Sequence, residues 1–183
     1  MAIAIPKKKK YTYKDYAKLP EGAPYQLIGG ELIMTPAPTP YHQYISGNIY
    51  SVLKQFVERN NLGQVYYSPI DVYFEETETY QPNIIFISKE RLNIISETKI
   101  EGAPDLVIEI LSPATAYYDL KKKFKIYEKH GVKEYWIVDP EEKSIEIYIN
   151  KEQKFILVEN KSKIGTIKSQ LLKDFQIDLE KIF

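Results

Sequence analysis

The apolar positions fall into one helical stretch followed by a series of strand-like runs. Ile45, Ile49, Val52, Leu53 and Phe56 recur at the spacing of a helix face. Thr39-Pro40 supplies a cap and a proline suited to the first helical position, and Asn60-Asn61-Leu62-Gly63 stops the run, so a helix is predicted over about 41–60. Beyond it the period drops to two. Gln64–Phe74 is β-rich, with Pro69 marking a bulge or an edge. Asn83–Ile87 follows, and Lys89–Lys99 reads as irregular. Asp105–Leu111 is nearly continuously apolar, the pattern of a strand covered on both faces. A second helix is expected over about Asp119–His130, with Leu120, Phe124 and Tyr127 inward and Gly131 as its stop. Glu134–Asp139 reads as another central strand, Ser144–Asn150 with Lys154–Glu159 as a hairpin, and 170–183 as a closing segment.

Ahead of the first helix, Tyr25–Ile28 and Glu31–Met34 flank Gly29-Gly30, a two-residue hairpin signal. Pro36, Pro38 and Pro40 keep the following stretch extended, and Thr12 caps a short helix reaching toward Leu19. Residues 1–10, ending in Lys7-Lys8-Lys9-Lys10, read as a basic N-terminal arm, and 11–183 as one domain. The order of elements is that of an α/β fold with a mixed sheet flanked by helices.

Composition narrows the chemistry. The 183 residues include no Cys, which excludes disulfides, thiolate metal sites and thiol nucleophiles. A metal would be held by oxygen or by the two histidines, His42 and His130, which favours Mg²⁺, Mn²⁺ or Ca²⁺. Lys+Arg and Asp+Glu both number 25, a balance that argues against a bulk DNA-coating protein and permits a local basic face. No apolar run approaches the ~20 residues of a membrane span, and Met1–Pro6 is too short for a secretory core. A cytoplasmic protein is expected.

Glu109 is the anomaly. Strand alternation groups it with Asp105, Val107 and Leu111 on one face, while Leu106, Ile108 and Ile110 take the other. A carboxylate inside a core strand carries a desolvation penalty unless a cation, metal or donor offsets it. A buried ion pair and a metal or acid–base site both satisfy that demand. Asp105 and Asn83 each follow a proline at a strand start. Asp105 has an ordinary use in a local backbone hydrogen bond, but with Asn83 and Glu109 it would form an oxygen cluster suited to a hard cation. Lys123 borders the inward stripe of its helix, one short loop from Glu109, whereas Lys121, Lys122 and Lys125 point outward as a solvated face or a phosphate-contacting patch. His42 reads as a surface or capping residue, His130 as a partner for its helix C-terminus, and Glu31 as an exposed hairpin residue.

Five ordered motifs, Tyr25–Leu32, Pro40–Gln43, Gln81–Ile84, Ala103–Pro113 and Gly131–Asp139, resemble a restriction endonuclease family abundant in cyanobacteria, within the PD-(D/E)xK nuclease superfamily. The resemblance spans about residues 11–183. It implies a restriction-endonuclease-like core and hydrolysis of DNA phosphodiesters with Mg²⁺ or Mn²⁺. It places metal ligands at Asn83 and Glu109, with Asp105, Glu31 and His42 also at positions typical of the family. The usual lysine position is occupied by Leu111, and the resemblance implies that Lys123 takes over its role. Three departures stand out: Asn83 and Gly29 where the family usually has Asp, and Gln26 where it usually has Glu.

Two functional readings follow. One is a Mg²⁺-dependent DNA endonuclease, expected as a homodimer and weakened by Asn83. The other is a catalytically inactive nuclease-fold protein acting as a DNA-binding or protein-interaction module. A third reading treats Glu109–Lys123 as a structural ion pair with no nuclease ancestry.

Overall fold

The computed structural model describes residues 10–113 and 116–183; the basic arm, apart from Lys10, lies outside them. In chain order the elements begin with α1 (Tyr13–Tyr16), β1 (Tyr25–Ile28), β2 (Glu31–Met34) and α2 (Pro40–Arg59). Then come β3 (Gly63–Tyr67), β4 (Val72–Glu75), β5 (Glu78–Tyr80), β6 (Ile84–Ser88), a 3₁₀ turn (Lys89–Ile94), β7 (Ile100–Glu101) and β8 (Leu106–Ile110). A π-helical turn (Tyr118–Lys123) runs into α3 (Phe124–His130), followed by β9 (Glu134–Asp139), β10 (Ser144–Lys151), β11 (Lys154–Ser162), β12 (Thr166–Lys168) and β13 (Gln176–Asp178).

The central sheet has the order β11-β10-β9-β8-β6-β3, with β8 and β9 parallel and the other neighbours antiparallel. Strand alternation divides its side chains between two cores. Ile84, Phe86, Leu106, Ile108, Ile110, Trp136 and Val138 face α2 and the C-terminal segment. Ile85, Ile87, Val107, Tyr135 and Ile137 pack against Tyr127 of α3 and against Val72, Phe74 and Tyr80. The expected double coverage of 105–111 is thus observed, with every residue of β8 buried.

A second sheet, β2-β1-β5-β4-β7, lies on the α3 side. The hairpin holds as expected: Ile28 pairs with Glu31, and Gly29 and Gly30 carry φ of 62° and 78°, as a two-residue turn of this kind requires. Thr39 caps α2 by accepting from the His42 amide.

Three expectations are corrected. Gln64–Phe74 is not one strand: Pro69 has no amide for a ladder, and the run divides between β3 of the central sheet and β4 of the second. The first helix ends at Tyr16 instead of reaching Leu19. In the second, Leu120 is 40% exposed while Asp119 and Lys123 are buried. A π turn advances fewer degrees per residue than an α turn, so it rotates Asp119 inward and Leu120 outward.

Candidate active site

The site is built where β8 ends. A cleft of about 1650 Å³ opens there, with His42, Asn83, Glu109, Asp119 and Lys123 among its lining. Glu109 Oε1 accepts from Lys123 Nζ at 3.0 Å and from the Tyr127 hydroxyl at 2.6 Å. Its other oxygen, Oε2, accepts from the Asn83 amide at 3.4 Å. Lys123 Nζ also pairs with Asp119 Oδ1 at 2.9 Å and lies 5.8 Å from the centre of the Tyr80 ring. Asp119, Lys123 and Tyr127 therefore form a row at four-residue spacing, brought together by the π turn and α3.

Two carboxylates share one ammonium with almost no solvent to screen them. Burial pushes the Glu109 carboxyl up to about 7; Lys123 and Tyr127 pull it down, and Asp119 adds to the rise. Burial alone would lower Lys123, but the charges of Asp119 and Glu109 outweigh it and hold the ammonium above its ordinary range. Tyr127 is pushed well up by burial and then by Glu109, so its hydroxyl stays protonated and donates.

Asn83 Oδ1 accepts from the Ile110 amide at 2.7 Å. His42 Nε2 lies 3.1 Å from the Ile110 carbonyl oxygen, which fixes the proton on Nε2. Burial lowers the His42 pKa, in keeping with a neutral ring, and its Nδ1 has no partner among the described residues. His42 is buried, in contrast to the surface residue expected from the sequence.

Asp105 lies elsewhere, a correction to the expected three-oxygen cluster. Antiparallel pairing of β6 with β8 sets the start of one against the end of the other, so Asn83 meets Glu109 while Asp105 meets Ser88. Its carboxylate accepts from the Ser88 amide at 2.8 Å and pairs with Lys133 at 2.7 Å and Arg91 at 3.1 Å. Against burial, Lys133, the Ser88 amide and Arg91 hold its pKa below the ordinary value. Glu31 sits half-buried on β2 opposite Ile28 and does not line the cleft. Gln26 is buried, its Oε1 accepting from the Gln81 amide at 2.9 Å.

The sequence pattern singles out Tyr127 only as core and does not mark Asp119 as a site residue. Their spacing from Lys123, four residues either way, was the available signal. It was masked by Leu120, which fits a regular helix face better than Asp119 does. A second polar group of the cleft was also not foreseen: Asp71 Oδ1 accepts from the Tyr16 hydroxyl at 2.8 Å and from Gln81 Nε2 at 2.9 Å.

Fold and site together define a mixed α/β protein with an acid–lysine centre at the end of a central strand. Residues 13–180 match the model of the Uma2 family, described as putative restriction endonuclease, and the chain belongs to that family. A solved structure with the same fold is a putative nuclease belonging to DUF820 from Anabaena variabilis, 23% identical with a TM-score of 0.76, the match covering 94% of this chain and 97% of that one. A comparison with curated proteins gave no match. The family and the α/β fold expected from the five motifs are both borne out.

Proposed function

We propose that this chain is a divalent-metal-dependent DNA endonuclease, acting in the cytoplasm with Mg²⁺ or Mn²⁺ and centred on Glu109, Lys123 and Asn83. The observation that carries the reading is the buried Glu109–Lys123 pair, 3.0 Å apart on the wall of the cleft, in a chain of a restriction endonuclease family.

The donor set suits a cation held mainly by substrate and water. Mg²⁺ commonly uses one or two carboxylates plus phosphate oxygens. Among the described residues Glu109 Oε2 has only the 3.4 Å contact from Asn83, and the Asn83 carbonyl keeps a second lone pair beside its bond to Ile110. Asp105, engaged by Arg91 and Lys133, plays a structural part in this reading. When bound, the cation neutralises phosphate charge and lowers the pKa of its water. The chain's own residues set the stage. Tyr127 and Lys123 fix the orientation of Glu109, and the Lys123 ammonium, in the cleft lining, would offset negative charge building on a phosphate.

Asn83 contributes no charge, so the cation is held weakly. That observation also favours the second reading, an inactive nuclease fold that binds DNA or protein, since Lys123 is already neutralised by two carboxylates. Plasmid cleavage with Mg²⁺ and with Mn²⁺ separates the two. The native chain is expected to nick slowly, Asn83→Asp faster, and Glu109→Ala not at all. No cleavage by any of the three, with DNA binding that ignores the cation, establishes the second reading instead.

The homodimer belongs to the same proposal. Ile156, Leu157 and Val158 are exposed on β11, the edge of the central sheet, and an apolar edge invites self-association. Light scattering behind size exclusion is expected to give twice the 21.4 kDa chain mass.

A further inference from the structure

We infer that His42 and Asn83 clamp the two ends of the Ile110 backbone and thereby position Glu109, making His42 a positioning residue of the site. The ladder between β6 and β8 pairs Ile84 with Ile108, Ile85 with Val107 and Phe86 with Leu106. Because β6 begins at Ile84, Ile110 lies beyond the last pair and has no strand neighbour on that flank. Within a strand the N–H and C=O of one residue point to the same edge, so both groups of Ile110 would be left open. Side chains complete the edge. Asn83 Oδ1 takes the N–H at 2.7 Å, and His42 Nε2 donates to the C=O at 3.1 Å. Glu109 is the preceding residue, and the Asn83 amide reaches its Oε2 as well.

The cost to His42 indicates what it is there for. Its ring is buried, and Nδ1 is an acceptor with no partner among the described residues. A leucine of similar size would avoid that loss, so the imidazole is retained for its bond to Ile110. The backbone that carries the ring is itself anchored, because the His42 amide donates to the Thr39 cap of α2 at 3.2 Å. Asn83 has the same kind of use: its oxygen serves the backbone whether or not a cation is present. An aspartate would serve equally, which explains how Asn at this position leaves the strand end intact.

The functional meaning of the clamp rests on the nuclease reading, but its existence does not. The experiment compares native, His42→Leu and His42→Gln chains by hydrogen exchange at the Ile110 amide and by Mn²⁺ binding. Glutamine can place an amide N–H near the Nε2 position, whereas leucine cannot donate. In His42→Leu, Ile110 exchange is expected to accelerate by about tenfold relative to Ile108. Mn²⁺ binding should weaken by about tenfold or more, as when partners behind metal ligands are lost, with no fall in thermal midpoint. His42→Gln should return both readouts to within about threefold of the native chain. If His42→Leu leaves Ile110 exchange and Mn²⁺ binding unchanged, the clamp is overturned. If His42→Leu does not fold, His42→Asn, too short to reach the carbonyl, replaces it with the same expectations. If the native chain binds no Mn²⁺, the nuclease reading fails, and Ile110 exchange alone then decides the clamp.

Discussion

Glu109 sits within hydrogen-bond reach of Lys123, Tyr127 and the Asn83 amide, and its carboxyl is pushed up to about 7 by burial. An acid whose folded pKa exceeds its unfolded value favours folding most when both states are protonated. Its contribution is therefore full below about pH 4.5, falls as the unfolded carboxyl ionises first, and levels off above about pH 7. Replacing the carboxylate by an amide removes that loss. Glu109→Gln is expected to raise stability at pH 8 by on the order of 2–3 kcal/mol, with little effect at pH 4. Urea melts at the two pH values test this, and equal stabilities for the two chains at pH 8 would contradict it. Lys123→Met has the opposite sign. It leaves Glu109 and Asp119 facing each other without a cation, and is expected to cost about 3–5 kcal/mol at pH 8. These residues also mark how far the sequence could be read. A carboxylate in an apolar strand is visible as an anomaly, and so is a lysine one loop away. Asp119 shows as a third member only through its four-residue spacing from Lys123, a signal that Leu120 masks because only the π turn brings Asp119 inward.

Two elements deliver the site, and each depends on a local device. α2 carries His42 in its first turn, held by the Thr39 cap. Thr39→Ala should cost about 1 kcal/mol of stability, read as a fall in the urea midpoint. β3 flanks β6 through Gly63, whose φ is 149°. A Cβ there would collide with the Ile87 carbonyl, which is backbone and cannot swing aside. Gly63→Ala is therefore expected to loosen β3 from β6 and cost about 2–4 kcal/mol, with faster hydrogen exchange along Val65 to Tyr67. A β3 that stays protected in this variant would refute the steric argument. At this scale the amphipathic helix over 41–60, the glycine hairpin and the β10–β11 hairpin were all legible, since each rests on contacts near in sequence. The division of Gln64–Phe74 between two sheets was not. A strand pattern specifies that a segment is extended, and does not specify which sheet it joins.

At the scale of the whole molecule, Glu134 holds the C-terminal segment to the central sheet. Its buried carboxylate accepts from Trp136 Nε1, Ser169 Oγ and the Gln170 amide, each at 2.7 Å, and from the Leu171 amide at 2.8 Å. Ile167, Leu172, Phe175, Ile177, Leu179 and Ile182 then close the α2 side of the core. Glu134→Leu removes every one of these acceptor contacts and leaves the Trp136 and Ser169 donors buried without them. A loss of about 3–5 kcal/mol is expected, with proteolysis opening first between Lys163 and Lys173. Cleavage spread evenly over the chain would show that Glu134 does not act as this latch.

The sequence by itself determined the main periodicities: the long helix over 41–60 and the principal strand segments, which strand is covered on both faces, and that Glu109 must find a partner there. These follow from local geometry and from the cost of burying charge, and need no knowledge of neighbours. Tertiary structure decided which polar groups meet. Antiparallel pairing of β6 with β8 joins Asn83 to Glu109 and carries Asp105 to the opposite end, while a parallel arrangement would have gathered the two strand starts. The position of His42 against Ile110 is likewise set only when α2 packs on the sheet, 68 residues apart in the chain. Pairing direction and helix docking are non-local choices, made by burial of the entire core, and no single segment encodes them.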